Sequence, residues 1–446
     1  SPLPGAKGSR ENGGGMSFVR SLAFRRSAPS VQGTAPQRDS AAIGPSVLEI
    51  VDAFPRLLVA TEFPPNASGG GPAVVRQMLK EWPAERLFWW SCLPETDSRF
   101  GRAVAAHRVK PIPPRLYPHF RLCRLKSWLL DRLWVPAAAR SLRKALRELR
   151  PDAVWVIPHI WSIPPIGRVL SGGEFRFHIS IHDYVDINSG IARLGAGRAA
   201  RMARTVERLY RAADTRDVIC ESMQSDMRRR TGCDGAIVHA GIEPEDLAYL
   251  ERKESVPVAE IRIAYAGTII VEKEFALFVQ ALEAIRPQLP RPVFLDFFGS
   301  HRYAGRPWFN ASWMREHGNL PERELLDRLR QCTWGFSPMS LTDEDPRYNR
   351  YSFPTKLISY LAAGLPVIGL GHPESTIIRA VEQNGIGLSL TTSDPSALSG
   401  QLRAGLLEAD DNPWRRYQSQ LLRYSRSEFD ADQMRLVLWR CFSSAA

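Results

Sequence analysis

The stretch Ser352-Phe-Pro-Thr-Lys-Leu-Ile-Ser-Tyr-Leu-Ala-Ala-Gly-Leu-Pro-Val-Ile368 carries the most specific local pattern in this 446-residue chain. Its apolar residues predict a helix near Thr355 to Ala363 and a strand from Pro366 to Gly369. The same alternation of strand and helix runs back to Arg56. Because alternating strands and helices form parallel sheets that are buried on both faces, the expected fold class is α/β.

The alternation begins twice along the chain. Strands are predicted at Arg56 to Thr61, Leu87 to Cys92, Ala153 to Ile157, Phe177 to Ile181 and Asp217 to Cys220. Past Glu243 the chain becomes charged and rich in proline, and Ile261 to Ala266 then reads as a new first strand. We therefore predict two facing, Rossmann-like, doubly wound domains with parallel sheets, at 55–244 and 245–425. A C-terminal helix at 426–446 is expected to pack back on the first domain.

Composition sets the broad class. The chain has 59 Lys and Arg against 47 Asp and Glu, a net charge of +12, and 44% hydrophobic residues. This length and composition predict two or three domains and exclude disordered, collagen-like and fibrous proteins. The six cysteines form no CxxC pair, which favours a reducing compartment over a disulfide framework. The apolar stretches are too short for a transmembrane helix, so a cytoplasmic location is expected.

The N-terminal 54 residues are excluded from the fold prediction. Residues 1–15 precede Met16 and have the glycine-rich, polar character of an expression-tag remnant. Residues 17–45 mix Arg, Ser, Ala and Pro without a regular apolar pattern. We predict a flexible tail here instead of a cleavable signal, because no uninterrupted apolar segment follows the basic residues.

Two glycine-containing loops are candidate phosphate sites. Gly69, Gly70 and Gly71 lie between a predicted strand and a predicted helix, where backbone N–H groups can approach a phosphate, and a tight turn is the other interpretation. In the second half, Gly267 ends a strand and Lys273 follows six residues later. Lys273 is either a phosphate ligand or an ordinary surface lysine.

Several motifs in order resemble the GT-B glycosyltransferases, most closely family 4 and its neighbours. In the second half they are Ile261-Arg-Ile-Ala-Tyr-Ala-Gly-Thr268 with Lys273, Leu282-Glu-Ala-Ile285, Gly335-Phe-Ser-Pro338 and Ser352 to Ile368. In the first half they are Phe63-Pro-Pro with Gly69 to Gly71, Ser180-Ile-His-Asp-Tyr184, Ala213-Asp214, Cys220-Glu-Ser222 and His239-Ala-Gly-Ile-Glu243. The resemblance spans roughly Pro55 to Arg403, and only the Phe353 to Ile368 stretch is specific by itself.

The resemblance implies a glycosyltransferase, together with its ligands and the residues that bind them. A nucleotide-sugar donor would be held mainly by the second domain, and a sugar, lipid-linked or small-molecule acceptor mainly by the first. The donor-binding residues implied are Gly70, Gly71, Gly267, Thr268, Lys273, Tyr351, Ser352, Lys356 and Ser359. Lys273 and Lys356 would neutralise the donor phosphates, so no metal ion and no other cofactor is required. The base, UDP or GDP, and the sugar stay open, and bacterial glycan or glycolipid synthesis is the expected setting.

The chain also departs from the family pattern. Thr268 stands where the family usually has arginine, and its two glutamates would fall at Tyr351 and Ser359. Either Tyr351, Ser352, Lys356 and backbone groups take over the donor contacts, or the chain binds a sugar nucleotide without efficient turnover. A nucleotide-sugar 2-epimerase on the same fold is a further alternative.

Asp183 and His182 are the candidate catalytic residues. Asp183 follows a predicted strand at the expected cleft, where it would deprotonate an acceptor hydroxyl, while His182 would contact the transferred sugar. A helix-capping role for Asp183 is the structural alternative. Resemblance to family 4 favours retention of configuration, in which Asp183 need not be the base, whereas an inverting relative would require it.

Two charged segments need separate interpretation. Asp343-Glu344-Asp345 resembles a metal-binding DxD motif, but it lies in a loop between prolines and is interpreted as a solvated acidic loop. Residues 115–150 contain ten basic and two acidic residues with Trp128, Leu129 and Leu133 among them. They form either a helical surface for anionic membranes, on the inner face of the plasma membrane, or a helix pair with a solvated basic side. No nucleic-acid-binding signature accompanies the charge, so nucleic acid is not an expected partner.

Overall fold

The computed structural model describes residues 54–67, 69–95, 101–116, 122–184, 195–254, 258–344, 346–408 and 412–445. The described residues belong to one compact unit that contains two parallel sheets. Residues 1–53 of the tail predicted at residues 1–54 lie outside these ranges. Phe54, the last residue assigned to that tail, lies in the core, with its ring 4.7 Å from Trp82 and 5.0 Å from Trp439.

The first sheet has seven strands in the order β3-β2-β1-β4-β5-β6-β7, all parallel. They are β1 (Leu57–Thr61), β2 (Leu87–Ser91), β3 (Ala106–Val109), β4 (Ala153–Ile157), β5 (Phe177–Ile181), β6 (Thr215–Val218) and β7 (Ala236–Ile237). The order reverses between β1 and β4. Leu58 and Ala60 pack into the core on one face, and Leu57 and Val59 pack into the core on the other.

The second sheet has six parallel strands in the order β10-β9-β8-β11-β12-β13. They are β8 (Ile261–Ala266), β9 (Val293–Phe298), β10 (Met314–Gly318), β11 (Trp334–Pro338), β12 (Val367–Leu370) and β13 (Gly387–Leu390). The strand order reverses between β8 and β11. Each sheet is therefore doubly wound about one switch point.

Helices cover both sheets. In the first half they are α1 (Gly70–Met78), α2 (Cys123–Leu129), α3 (Val135–Leu149), α4 (Ile163–Leu170), α5 (Ala196–Ala212) and α6 (Glu221–Thr231). In the second half they are α7 (Pro244–Arg252), α8 (Glu272–Ile285), α9 (Glu322–Leu329), α10 (Pro346–Tyr351), α11 (Lys356–Ala363), α12 (Thr376–Asn384), α13 (Pro395–Glu408), α14 (Pro413–Glu428) and α15 (Ala431–Ala445). We call the first sheet with α1–α6 and α15 the first lobe, and the second sheet with α7–α14 the second lobe. The predicted domain boundary falls at the start of α7 and stays a prediction.

The last helix, α15, packs on the first sheet. The Trp439 indole donates to the carbonyl of Met78 at 3.0 Å. The Phe442 ring is fully buried and lies 5.6 Å from the ring of Trp82 and 5.3 Å from that of Trp155. Since α15 follows the second lobe in the chain, this packing returns the chain to the first lobe.

Several contacts join the two lobes around their facing edges. The rings of Tyr184 and Tyr351 are 5.2 Å apart, and those of His239 and Phe353 stack at 5.7 Å. Arg76 donates to Glu322 at 2.6 Å. Each of these pairs has one partner in each lobe, so the two lobes meet along these edges.

The structure confirms the predicted fold class, and the strands Ala153 to Ile157, Phe177 to Ile181 and Ile261 to Ala266 match their predicted bounds. The strand predicted at Asp217 to Cys220 begins two residues earlier, at Thr215. The first residues of this strand, Thr215 and Arg216, are polar, so no apolar pattern marks its start. Asp217 is buried and its Oδ2 accepts hydrogen bonds from the side chains of His178 and Ser180 on β5, which offsets part of the cost of burying it.

Truncation of Phe442 tests the docking of α15. Phe442→Ala removes a fully buried ring, so the free energy of unfolding should fall by about 3–5 kcal/mol. Urea unfolding followed by tryptophan fluorescence measures the change. Leu407→Ala, at an exposed leucine of α13, is the matched control and should change the midpoint little. A Phe442→Ala midpoint equal to that of the wild type would show that α15 does not contribute to the core.

Candidate active site

The crevice of the second sheet lies between the loops that follow β8 and β11. Ligands of doubly wound sheets bind at such switch points, outside the carboxyl ends of the strands. Gly267 directly follows β8 with a φ of 99°, a conformation that strains any residue with a side chain. Its N–H donates to the carbonyl of Phe298 at 2.7 Å. The loop thus places backbone atoms that carry no side chain at the crevice.

A string of hydrogen bonds crosses the same edge. The Lys356 ammonium donates to the Tyr265 hydroxyl at 2.9 Å, and this hydroxyl donates to the carbonyl of Thr268 at 2.8 Å. The Thr268 hydroxyl lies 3.1 Å from Nδ1 of His301. Sequence reasoning identified Thr268 and Lys356 but not His301, which reaches Thr268 because β8 and β9 are neighbours. His301 stands beside Thr268, which occupies the position where the resemblance to family 4 leads us to expect arginine.

Lys356 is held without a negatively charged partner among the described residues. Its ammonium lies 4.0 Å from the centre of the Tyr265 ring, so an aromatic face and a hydroxyl take the place of a carboxylate. Burial lowers the pKa of Lys356 from 10.5 to about 7. The amine is therefore about half charged at neutral pH, and a nearby anion would raise its pKa again.

The other predicted donor residues have different surroundings. Lys273 lies in the first turn of α8 with its side chain exposed. Ser359 lies on α11 and is partly buried. The carbonyl of Ser352 accepts a hydrogen bond from the Thr376 hydroxyl at 2.5 Å. The structure thus joins Gly267, Thr268 and Lys356 in one place, and it does not link Lys273, Ser352 or Ser359 to them by a hydrogen bond among the described residues.

The glycine loop of the first lobe meets the second lobe at the start of α11. A Cβ on Gly70 would lie 2.9 Å from the Thr355 hydroxyl, so a larger residue would need Thr355 to shift. Gly69 has a φ of 110°, which favours glycine, and Gly71 has open space around it. Tyr351, one turn before α11, contacts the first lobe through its ring. The loop and Tyr351 thus border the cleft from opposite lobes.

Three neighbouring strands of the first sheet deliver polar residues to the facing edge. Glu62 follows β1, His159 follows β4 by two residues, and His182 with Asp183 follows β5. Adjacent strands lie about 4.8 Å apart, so these side chains share one edge. His182 and Asp183 are the predicted catalytic residues, whereas Glu62 and His159 were missed. The sequence signal that could have identified Glu62 is an acidic residue directly after the apolar strand β1.

The groups on this edge are shifted toward their neutral forms. Burial raises the pKa of Glu62 to about 7, against the lowering effect of a hydrogen bond from the Trp161 N–H. Burial also raises the pKa of Asp183 to about 6. The Asp183 side chain nevertheless keeps a large accessible surface, so it lies at the edge of the first lobe and not in its core. Burial lowers the pKa of His159 to about 4, with a smaller contribution from His182, and burial lowers that of His182 as well.

Asp183 faces the second lobe. Burial, followed by the carboxylates of Glu274 and Asp183, raises the pKa of Tyr348 to about 12. Glu274 lies in the first turn of α8, next to Lys273, and accepts the N–H of Leu341 at 3.1 Å. Tyr348 therefore lies within electrostatic reach of both the candidate base and the start of α8.

No metal site is built from the described residues. Among them, no group of three or more His, Cys, Asp and Glu side chains is arranged to hold a metal ion. Asp343 of the DxD-like triplet pairs with Arg350 at 3.4 Å, and Asp345 lies outside the described ranges. Metal independence stays a prediction.

Two doubly wound sheets whose switch points face one cleft define the GT-B fold, and this chain has the GT-B glycosyltransferase fold. Sucrose-phosphate synthase from Thermosynechococcus elongatus is similar over 87% of this chain and 99% of its own, with a TM-score of 0.60 and 16% identity. WaaG, a glycosyltransferase involved in lipopolysaccharide biosynthesis, is similar over 87% of this chain and 99% of its own, with a TM-score of 0.59 and 12% identity.

A third similar structure is the α,α-trehalose-phosphate synthase (UDP-forming) from Burkholderia xenovorans. It covers 87% of this chain and 100% of its own length, with a TM-score of 0.60 and 13% identity. No protein-family model and no curated protein matches the sequence. Identities this low show the fold alone. The predicted resemblance to GT-B proteins is confirmed, and membership of family 4 stays a prediction.

The pH dependence of stability tests the position of Glu62. Its pKa is about 7 in the folded protein against 4.5 for an ordinary glutamate, so the folded state binds more protons between these values. Stability should therefore fall as the pH rises from about 4.5 to 7. Glu62→Gln keeps the shape without the charge, so it should melt at a higher temperature than the wild type at pH 8 and at nearly the same temperature at pH 4.

Thermal melting between pH 4 and 8 measures this difference. Glu85→Gln makes the same chemical change at an exposed position of the same lobe and should show no such trend. A melting difference between wild type and Glu62→Gln that does not vary with pH would contradict the assignment.

Proposed function

We propose that this chain is a glycosyltransferase that moves a sugar from a nucleoside-diphosphate donor in the second lobe to an acceptor hydroxyl in the first. The observation that carries the proposal is the partly buried Lys356 ammonium at the switch point of the second sheet, hydrogen-bonded to the Tyr265 hydroxyl. It has no carboxylate partner among the described residues, and an anion there would satisfy it. The similar structures are glycosyltransferases by name, which supports the same conclusion.

The donor diphosphate is proposed to lie along the string from Lys356 to His301. Lys356 would neutralise the charge that develops on the diphosphate as the glycosidic bond breaks, in a site with little water. The bare backbone at Gly267 and the hydroxyl of Thr268 would approach the phosphate oxygens. Lys273, on the exposed first turn of α8, would supply a second amine. With these amines we propose a reaction that needs no metal ion and accepts UDP- or GDP-sugars.

Transfer is proposed to occur at the edge of the first sheet. A carboxyl group with a pKa of about 6, such as that of Asp183, is largely ionised at pH 7 and can take a proton from an acceptor hydroxyl. His182, whose pKa burial lowers, is suited to hydrogen-bond the transferred sugar as a neutral ring. Asp183 is the base in an inverting reaction. In a retaining reaction the leaving phosphate receives the proton, and Asp183 orients the acceptor.

We further propose that the acceptor is reached at an anionic membrane surface. Leu122, Leu125, Trp128 and Leu133, which we call the Trp128 patch, are 68%, 50%, 54% and 63% exposed. They lie between the residue that precedes α2 and the π-helical turn that follows it, while Leu130 and Trp134 of the same segment are buried. One side of the segment therefore packs in the core, and the membrane proposal concerns the exposed side.

The charges around the Trp128 patch favour an anionic lipid partner. Arg124 and Arg132 are exposed beside it, and the Arg132 guanidinium lies 5.7 Å from the centre of the Trp128 ring. Apolar side chains flanked by arginines bind the boundary between lipid headgroups and chains, with the charges at the phosphates. No helix in the described ranges has the length and apolar character needed to cross a bilayer.

Donor binding should be linked to the protonation of Lys356. Because its pKa is about 7 in the free protein and rises next to a diphosphate, UDP or GDP should bind with uptake of a proton. Affinity should fall about tenfold per pH unit above pH 7. Calorimetric titration at pH 7 to 8.5, in buffers of different ionisation enthalpy, measures both quantities.

Two variants separate charge from shape at this position. Lys356→Met should lose most of the affinity at every pH, and Lys356→Arg should flatten the pH dependence because arginine stays charged. Lys144→Met, at an exposed lysine of α3, is the control. Wild-type affinity in Lys356→Met, or a pH-independent affinity in the wild type, would contradict the phosphate site.

Vesicle binding tests the Trp128 patch. The wild type should sediment with phosphatidylglycerol vesicles and much less with phosphatidylcholine vesicles. Trp128→Ser combined with Leu133→Ser removes two exposed apolar side chains and should weaken this binding at least tenfold. Leu407→Ser, at an exposed leucine of α13, should bind as the wild type does. Equal sedimentation with both lipids, or undiminished binding by the double variant, would remove the membrane proposal.

A further inference from the structure

The switch point of the first sheet carries a second set of polar groups that the donor site does not use. The strand order β3-β2-β1-β4-β5 reverses between β1 and β4, so the crevice opens outside the carboxyl ends of these two strands. Thr61 pairs with Ile157 at the last position of this ladder. Glu62 and His159 are the first ionisable side chains after the two strands, and they therefore flank the crevice.

Glu62 is fixed in place by its backbone and by one hydrogen bond. Its carbonyl accepts the N–H groups of Cys92 and Leu93 at 3.1 and 2.9 Å, which orients the residue after β1. Its carboxylate accepts the N–H of Trp161 at 2.7 Å and so bridges the crevice to the loop after β4. Among the described residues no lysine, arginine or histidine forms an ion pair with it. The side chain keeps some accessible surface.

His159 presents a ring nitrogen without a partner. Its Nε2 is buried and has no hydrogen-bond partner in the described part of the chain. The backbone around it is held by the side chain of Ser162, which donates to the His159 carbonyl at 2.9 Å. The ring packs edge-on against Phe63 at 5.4 Å, next to Glu62 in the chain. A buried polar atom that lacks a partner is costly unless a ligand satisfies it.

We propose that Glu62 and His159 form the acceptor subsite and bind an uncharged sugar or polyol through its hydroxyl groups. This inference rests on the proposed glycosyltransferase function and specifies its acceptor. The Glu62 carboxylate accepts a hydrogen bond from one hydroxyl, and Nε2 of the neutral His159 ring bonds a second. A phosphate group in the same crevice would meet no cation, because no lysine, arginine or histidine of the described residues forms an ion pair with Glu62, and the ionised form of Glu62 would repel it. The subsite therefore discriminates against acceptors that carry a phosphate there.

Acceptor kinetics test the subsite. The assay measures the release of UDP or GDP from UDP-glucose and GDP-mannose with two sets of acceptors. The uncharged set contains glucose, mannose, N-acetylglucosamine, glycerol and, for a lipid-linked acceptor, octyl glucoside and octyl mannoside, and the phosphorylated set contains glucose 6-phosphate and mannose 6-phosphate. The wild type should use members of the uncharged set in preference to the phosphorylated set. Glu62→Gln should raise the acceptor KM at least tenfold, and His159→Gln should act in the same direction. The Kd for UDP or GDP should stay within twofold in both variants.

Glu85→Gln is the matched control and should leave all constants unchanged. Release only with the phosphorylated set, release with neither set, or an unchanged acceptor KM in Glu62→Gln would overturn the inference. An equal loss of nucleotide affinity in Glu62→Gln would also overturn it, because the residue would then act on the donor side. A wild type that binds neither UDP nor GDP would instead overturn the proposed function, so the two failures are distinguishable.

Discussion

The central constraint on this molecule is that a parallel sheet buried on both faces leaves only the ends of its strands accessible. Helices cover the faces, and the strands all point the same way, so their carboxyl ends meet at one edge. The reversal of strand order opens a gap at that edge. The chain applies this constraint twice, and the contact of Tyr184 with Tyr351 brings the two edges together. Chemistry-bearing side chains from distant parts of the sequence therefore converge on one cleft.

The charged groups at the facing edges differ from those elsewhere in the fold. Arg435 of α15 is buried, but it pairs with Glu243 at 2.9 Å, and Arg198 pairs with Asp131 at 2.8 Å. These pairs tie helices together. At the cleft, by contrast, Lys356 and Glu62 are partly buried with no opposite charge paired to them among the described residues, and burial shifts both pKa values toward neutrality. Titratable groups perturbed in this way concentrate at functional sites, because a ligand can supply the missing partner.

The sequence predicted the fold from its buried strands, which are continuous apolar runs such as Ile261 to Ala266. The strands at the edges of the two sheets, β3, β7, β10 and β13, were not predicted. Met314–Gly318 is Met-Arg-Glu-His-Gly, with only its first residue buried, so it lacks an apolar pattern. Site residues were predicted best where they belong to one continuous sequence motif. Lys356 is the example, since it lies in the Ser352 to Ile368 stretch.

The remaining site residues depend on strand pairing that local patterns do not contain. Thr268 and His301 are 33 residues apart, and Glu62 lies 99 residues before Trp161, whose N–H it accepts. Each contact exists because a parallel crossover makes neighbours of two strands, β8 with β9 and β1 with β4. In the proposed function the same pairing would also set the electrostatics, because a bound diphosphate would act on both edges at once. Its negative charge would raise the pKa of Lys356 and also that of Asp183, which begins at about 6. The proposed donor would therefore favour a protonated lysine and oppose an ionised aspartate, and the distance between the diphosphate and Asp183 would decide whether this residue serves as a base or as a hydrogen-bonding group. A short distance would favour the neutral carboxyl and proton transfer to the leaving phosphate, and a long one would leave Asp183 ionised to act on the acceptor.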